Sequence, residues 1–456
     1  MKFCLSFFLL WQFPIFCCTN FLITKGASED GSVMIGHTDD GIPGDPRVVF
    51  VPAKKYVAGE KKPLFLADPI FLANADYPRY VGKERAPAYD ISGFPITKPI
   101  GYIDQVSATN AYIEGIYGIM NEWQLAMGEA TAPSLFNFDF DKDNRLLDIS
   151  ELTRLGLERC KTAKEAILLM GSLAEKYGFY GDGEVLLVGD LEEGWVFEIS
   201  GSPEKKGAIW VAKKIPEGEV FVSANIFRIQ EIDPKDPNVL YSSQLFSIAE
   251  KNKWWKKEKN ELFNWQKAVS AGEPNHPYYS LRRIWRLFQK MNPSILLSPW
   301  VENAFTKKYP LSMKVSQKLS LKKALSLFRD HYEGTEFDLT KGLAAGPYGD
   351  PNRNLQPDNP KIKGAFERPI SYRYTVYSYI TQSRKNMHPF IGGKVWVGFG
   401  EPAQTCYMPC FVHVEDLPAP FQKGSSIAYD ESLGWFHFNF ISNWVASFYC
   451  YSIKDV

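Results

Sequence analysis

The chain has 456 residues, 45% of them hydrophobic, and 52 lysines plus arginines balance 52 aspartates plus glutamates for a formal net charge of zero. That length can bury a large core as one big domain or two to three ordinary ones, and the balanced charge excludes the basic footprint of a nucleic-acid binder. Aromatic residues make up 15% of the chain, a supply suited to core packing and to the walls of a ligand groove.

In chain order, Met1-Lys2 leads into an almost uncharged stretch over 3–17. One positive charge before a short apolar run fits a secretory signal peptide, whereas a spanning helix needs about 20 apolar residues. The expectation is a leader at 1–17, removed on maturation, and an exported protein (secreted, periplasmic or lysosome-like) with no membrane segment in its mature form. Removal of the leader leaves Cys18, Cys160, Cys406, Cys410 and Cys450, an odd count that keeps at least one thiol free.

Apolar runs at 21–23 and 33–35, joined through a loop ending in Asp30-Gly31, read as a β-hairpin. A third strand is expected at 48–51. The Pro-, Tyr- and Gly-rich 67–101 reads as a long ordered loop that can wall a groove. Strands follow over 112–122, around a tight turn, and at 125–130. A helix opens at 148, and a second over 162–177 carries Ala163, Ala166, Ile167, Met170 and Leu173 at helical spacing, each with a plausible cap. Further strands are expected at 184–189, 194–200 and 220–224, and helices at 281–289 and 320–331. The stretch 334–360 is loop, 369–411 is strand-like, 429–456 alternates aromatics with small polar residues, and 443–456 reads as the start of a terminal strand or helix. Lys253-Trp254-Trp255-Lys256-Lys257 is a solvated helix face with two packed tryptophans, given the neutral chain. No repeat and no linker divides 18–456, which reads as one domain.

If the chain begins at Cys18, one residue carries both a thiol and a free α-amine, and an amine of pKa ~8 is a suitable base near neutral pH. Such a site needs oxyanion donors, a carboxylate to hold the amine, and a guanidinium or amide to order it. Asp40, Asn121, Asn225 and Arg283 are placed to supply these, although alone Asp40 and Asn121 are ordinary turn residues and Arg283 an ordinary surface cation. A Cys–His pair is the rival mechanism. His37, one strand from Cys18, can approach it, or is a polar strand-end residue. Cys406-Tyr-Met-Pro-Cys410 lacks a second ligand pair and reads as a buried strand edge. There is no HExxH, P-loop or GxGxxG motif.

Cys18-Thr19-Asn20, Ala27-Ser28-Glu29-Asp30-Gly31-Ser32 and Gly36-His37-Thr38-Asp39-Asp40-Gly41 together resemble the opening signature of the PepD-like dipeptidases, a cysteine branch of the N-terminal nucleophile (Ntn) hydrolases. The likeness continues through Tyr117-Gly118-Ile119-Met120-Asn121-Glu122, Trp195-Val196-Phe197-Glu198-Ile199, Val222-Ser223-Ala224-Asn225 and Ser280-Leu281-Arg282-Arg283. It extends to Arg329-Asp330-His331-Tyr332-Glu333-Gly334-Thr335, Ala345-Gly346-Pro347-Tyr348-Gly349 and Gly392-Gly393-Lys394-Val395-Trp396. The resemblance implies an α+β fold, a four-layer αββα sandwich of two antiparallel sheets flanked by helices. It implies hydrolysis of dipeptides or other small amides with no metal or organic cofactor. It makes Cys18 the nucleophile and, through its amine, the base, with Asp40, which register favours over Asp39, bonded to thiol and amine. Asn121 and Asn225 become oxyanion and amine contacts, and Arg283 a cation behind the thiol that favours thiolate. His37 stands where many relatives carry arginine and is taken as substrate-binding. Either another cation, Arg47 or Arg283, replaces that arginine, or protonation of His37 makes activity fall as pH rises. An N-acyl amide hydrolase of the same fold and a non-catalytic secreted binding protein are the alternatives. Oligomeric state is left open.

Overall fold

The computed structural model describes residues 18–41, 44–66, 79–256, 261–274, 276–354, 367–424 and 429–456. The expected leader at 1–17 lies outside the described residues, as do 67–78 of the expected groove-wall loop, Lys257 of the basic-aromatic cluster and 355–360 of the loop at 334–360. Two large sheets organise the rest. Their strands are β1 (Thr19–Ile23), β2 (Val33–Asp40), β3 (Val49–Val51), β4 (Tyr112–Glu114), β5 (Gly118–Asn121), β6 (Ala126–Ala132), β7 (Gly183–Gly189) and β8 (Gly194–Gly201). The series continues with β9 (Ala208–Lys214), β10 (Glu219–Ser223), β11 (Val239–Tyr241), β12 (Ser312–Lys314), β13 (Thr375–Ser383), β14 (Lys394–Phe399) and β15 (Met408–Phe411).

The hairpin of β1 and β2 sits mid-sheet in a seven-stranded order β12-β10-β1-β2-β13-β14-β15. Thr19 lies opposite Thr38 and Leu22 opposite Ile35. Gly31 in the connection adopts φ 73°, a conformation that glycine enters without steric cost. Both strands are buried throughout. Leu22 and Ile35 face the core between the sheets, while Phe21, Ile23 and Met34 face a second core under the helices. A strand covered on both faces reads as a continuous apolar run rather than an alternation, as 21–23 and 33–35 do. The second sheet has eight strands in the order β11-β9-β8-β7-β6-β5-β4-β3. The two sheets meet closely at Gly128 of β6. A Cβ there would sit 2.6 Å from Ile35 and 3.4 Å from the Cβ of His37, so a side chain at that position would push the sheets apart beside His37.

Helices α1 (Ile149–Arg159) and α2 (Ala163–Tyr177) cover the eight-stranded sheet, and α3 (Leu281–Met291) and α4 (Leu321–Leu327) cover the other. This is the expected four-layer αββα sandwich. Asp148 caps α1 by accepting from the backbone of Ser150 and Glu151, and Thr162 with Glu165 forms a capping box on α2. Each cap contributes about 1 kcal/mol. Helix α4 stops at Leu327, earlier than the expected 331. Beyond it the Asp330 carboxylate accepts from Arg286 and Lys290 of α3 and from the backbone of Tyr332, and Tyr332 takes φ 65°. These bonds draw the chain out of the helix. The tail forms helix α5 (Gly434–Ser447). Of the expected buried strand edge over Cys406–Cys410, Cys410 is buried on the edge strand β15, whereas Cys406 precedes the strand and is exposed, and none of the five described cysteines forms a disulfide.

His331 ties the turn after α4 to the loop following β14. Its Nδ1 pairs with Glu333 and its Nε2 with Glu401, both at 3.1 Å. Burial opposes its charge, but the two carboxylates outweigh burial and raise its pKa to about 9. A pKa raised above the unfolded ~6.5 stabilises the fold fully below that pH, and the contribution disappears as pH rises through about 9. Stability is therefore expected to fall by on the order of 2 kcal/mol between pH 6.5 and 9, and the decline should flatten in His331→Gln. Urea unfolding across that range checks it, and parallel pH curves for the two proteins contradict it.

Candidate active site

Cys18 immediately precedes β1, and the β1–β2 register continues it opposite Asp39. Because strand side chains alternate, Cys18, Asn20, His37 and Asp39 face the inter-sheet space, and Thr19, Thr38 and Asp40 face the helices. The Cys18 thiol is 1% exposed and donates to Glu129 Oε2 of β6 at 3.5 Å. Burial, then Glu129, Asp39 and Asp40, push the thiol well above its usual pKa, while the backbone N–H of Asp40 pulls the other way. Burial and neighbouring charge both favour the protonated thiol.

Arg283 organises the main chain here. Its Nη1 donates to the Cys18 carbonyl and to Thr19 Oγ1, both at 3.0 Å, its Nη2 to Asn225 Oδ1 at 2.8 Å, and its Nε to the Tyr279 carbonyl at 2.9 Å. It sits in the first turn of α3, where a cation is disfavoured by the helix dipole. There the Glu273 carboxyl group accepts from the N–H groups of Ser280 and Leu281, and burial raises its pKa to about 8. Arg283 was expected behind the thiol, where it would favour thiolate; its bond is to the carbonyl of Cys18, and burial with the neighbouring carboxylates raises the thiol's pKa. Asn225 adopts φ 60° at the end of β10 and joins the network from both ends of its amide, donating to the Thr131 carbonyl at 2.9 Å.

The carboxylate of Asp40 was expected on the thiol, and the structure turns it to the opposite face. It accepts from Arg368 at 2.6 Å, Thr375 at 2.5 Å and Thr38 at 2.9 Å. Its link to Cys18 is through its backbone N–H and through Thr38, whose Oγ1 accepts from the Thr19 N–H at 3.0 Å. On the thiol's own face the acid is Asp39, which accepts from the Tyr377 hydroxyl. Arg47 is committed to Asp45 through Nε at 2.9 Å and Nη2 at 2.6 Å. Asn121 stands outside this network. Its Nδ2 donates to the Leu157 and Cys160 carbonyls at the end of α1, both at 2.8 Å, and its Oδ1 accepts from the N–H groups of Trp123 and Leu125. Both ends of its amide are spent on the turn and on α1. Asn121→Ala is thus expected to cost about 2 kcal/mol of stability and to leave kcat of the folded enzyme within about twofold of the original. Urea denaturation and assays of the same samples separate these, and a large loss of kcat at unchanged stability contradicts the assignment.

His37 is fully buried, with Nδ1 2.7 Å from the Glu129 carbonyl and its ring 5.1 Å from that of Tyr379. Burial lowers its pKa to about 4, so it is neutral from weakly acidic pH upward. A fall of activity with rising pH through loss of a charged His37 is therefore not expected. Sequence reasoning missed Glu129 and Glu184. Burial raises both carboxyl groups, and Glu184 shares its proton with Glu129, as two close carboxyl groups in a dry site must. Each is the one acid in a buried strand, which marks it as unusual without saying what it meets.

Residues 112–456 match the family model of Peptidase family C69. The chain belongs to this family. A probable dipeptidase of Latilactobacillus sakei is 25% identical over 414 residues, covering 89% of this chain and 76% of that protein. Dipeptidase A of Lactobacillus helveticus is 24% identical over 413 residues, covering 89% and 77%. The solved penicillin V acylase of Agrobacterium tumefaciens superposes over 84% of this chain and 83% of that one, with 12% identity and a TM-score of 0.33. For a family C69 peptidase the buried thiol of Cys18, with its main chain clamped by Arg283, is the candidate nucleophile. Among the described residues no helix is long and apolar enough to cross a membrane.

Proposed function

We propose that this family C69 peptidase is an exported dipeptidase that attacks with Cys18, freed as the N-terminal residue by removal of 1–17. The clamp on Cys18 carries the reading. Arg283 fixes its carbonyl and Thr38 the following N–H, so the residue's own amine and thiol are held side by side. A thiol kept protonated by burial and by Glu129 and Asp39 needs a base during attack, and the α-amine of the same residue meets that need. The amine takes the thiol proton as sulfur bonds the substrate carbonyl carbon. The C–N bond then breaks, the proton passes to the leaving amine, and water hydrolyses the thioester. The relatives named as dipeptidases support a dipeptide substrate, and the Met1-Lys2 apolar start supports export.

The test is the N-terminal residue of the active protein, followed by a panel of free dipeptides and N-acyl amides. An N-terminus at Cys18 with preference for free dipeptides is expected. Preference for N-acyl amides moves the substrate to the acylase class. Full activity in protein that retains 1–17 replaces the amine with His37 as base.

A further inference from the structure

Three donor atoms of different softness converge at the thiol. One each from Cys18, His37 and Glu129 lie within 4.8 Å of one another, and all three residues are buried. Within the set, sulfur and Glu129 Oε2 are already 3.5 Å apart. Tetrahedral zinc, with bonds of about 2.3 Å to sulfur and about 2.0–2.1 Å to nitrogen or oxygen, spaces its ligands roughly 3.3–3.6 Å apart, so side-chain shifts of about 1 Å close the site. The histidine gives a second, independent indication. Its Nδ1 faces the Glu129 carbonyl at 2.7 Å, so Nδ1 carries the proton and donates it. That leaves the Nε2 lone pair buried with no hydrogen-bond partner. A ring whose other nitrogen donates to a backbone carbonyl is oriented as metal-ligating histidines usually are. Thr131, Tyr117, Cys18 and Glu184 hydrogen-bond the Glu129 carboxylate.

We propose that Cys18 Sγ, a ring nitrogen of His37 and the Glu129 carboxylate bind one divalent ion of the Zn2+ type, and that the ion blocks the thiol as a nucleophile. The mixed sulfur, imidazole and carboxylate set suits Zn2+ or Co2+ over Mg2+ or Ca2+. On binding, the S–H bond breaks, its proton goes to solvent and the metal–sulfur bond forms. The sulfur pair that would attack a carbonyl is then engaged, so the enzyme is reversibly inhibited. The inhibition rests on the reading of Cys18 as nucleophile, but the binding does not.

Co2+ is therefore titrated into the full chain, purified and reduced, and its thiolate-to-cobalt charge-transfer band is read independently of turnover. One equivalent of Co2+ should generate the band, Zn2+ should displace it, and Mg2+ should not. The band should vanish in Cys18→Ser and weaken at least tenfold in affinity in His37→Gln and Glu129→Gln, with Cys406→Ser unchanged. Circular dichroism of each variant confirms folding, and Cys18→Ser, close in shape to the original, keeps the test decisive if another variant unfolds. Absence of the band in the original chain, or its persistence in Cys18→Ser, overturns the proposal. A band without loss of activity overturns only the inhibitory step and points to a nucleophile other than Cys18.

Discussion

Cys18→Ser is expected to lower kcat/KM for dipeptide hydrolysis by about 10³-fold or more, while the urea midpoint stays close to that of the original. Serine preserves the shape of the side chain, and the contact it replaces is one 3.5 Å hydrogen bond to Glu129, so the sandwich loses little. The chemistry loses far more. A hydroxyl is a much weaker nucleophile than a thiol and asks more of the same base, and the acidic surroundings of Glu129 and Asp39 resist forming an alkoxide as they resist forming a thiolate. Steady-state kinetics beside denaturation decide the matter, and turnover within about threefold of the original would remove Cys18 from the mechanism.

Arg283→Ala is expected to produce the largest stability loss of the site variants. It strips donors from the Cys18 and Tyr279 carbonyls, Thr19 Oγ1 and Asn225 Oδ1, all inside the protein. Buried acceptors left unpaired cost about 1–3 kcal/mol each, so about 3 kcal/mol or more is expected after relaxation. Arg283→Lys separates structure from chemistry. A lysine head is a point charge and cannot reproduce a fork that reaches Cys18 with one nitrogen and Asn225 with another. It should recover part of the stability while kcat/KM stays about 10²-fold down. Full recovery of activity by lysine would show that charge alone matters at this position.

The hairpin that Cys18 opens and the arginine helix were legible in the sequence because their signals are local or belong to an ordered set of motifs. Cys18 opens an apolar run, Thr162 and Glu165 announce α2 through their capping box, and Arg283 lies in an amphipathic helix that starts at the expected residue, Leu281. The face on which Asp39 and Asp40 point was not legible, since a shift of one residue exchanges the faces of a strand and only the pairing of Thr19 with Thr38 settles it. Glu129 was missed for a different reason. It reaches Cys18 across 111 residues of sequence and from the other sheet, and an acid in a strand gives no hint of what it will face. Strand β9 was also missed. It ends in two lysines and follows a charged turn, so its apolar run is only five residues long.

The most direct measurement is the mass of the enzyme quenched with acid during turnover of a poor dipeptide ester, followed by peptide mapping. A cysteine thioester is the intermediate that the mechanism requires. The account predicts an acyl adduct on a peptide whose first residue is Cys18, labile to hydroxylamine and absent in Cys18→Ser. An adduct on any other residue, or one on Cys18 in a chain that still carries the preceding residues, would contradict it.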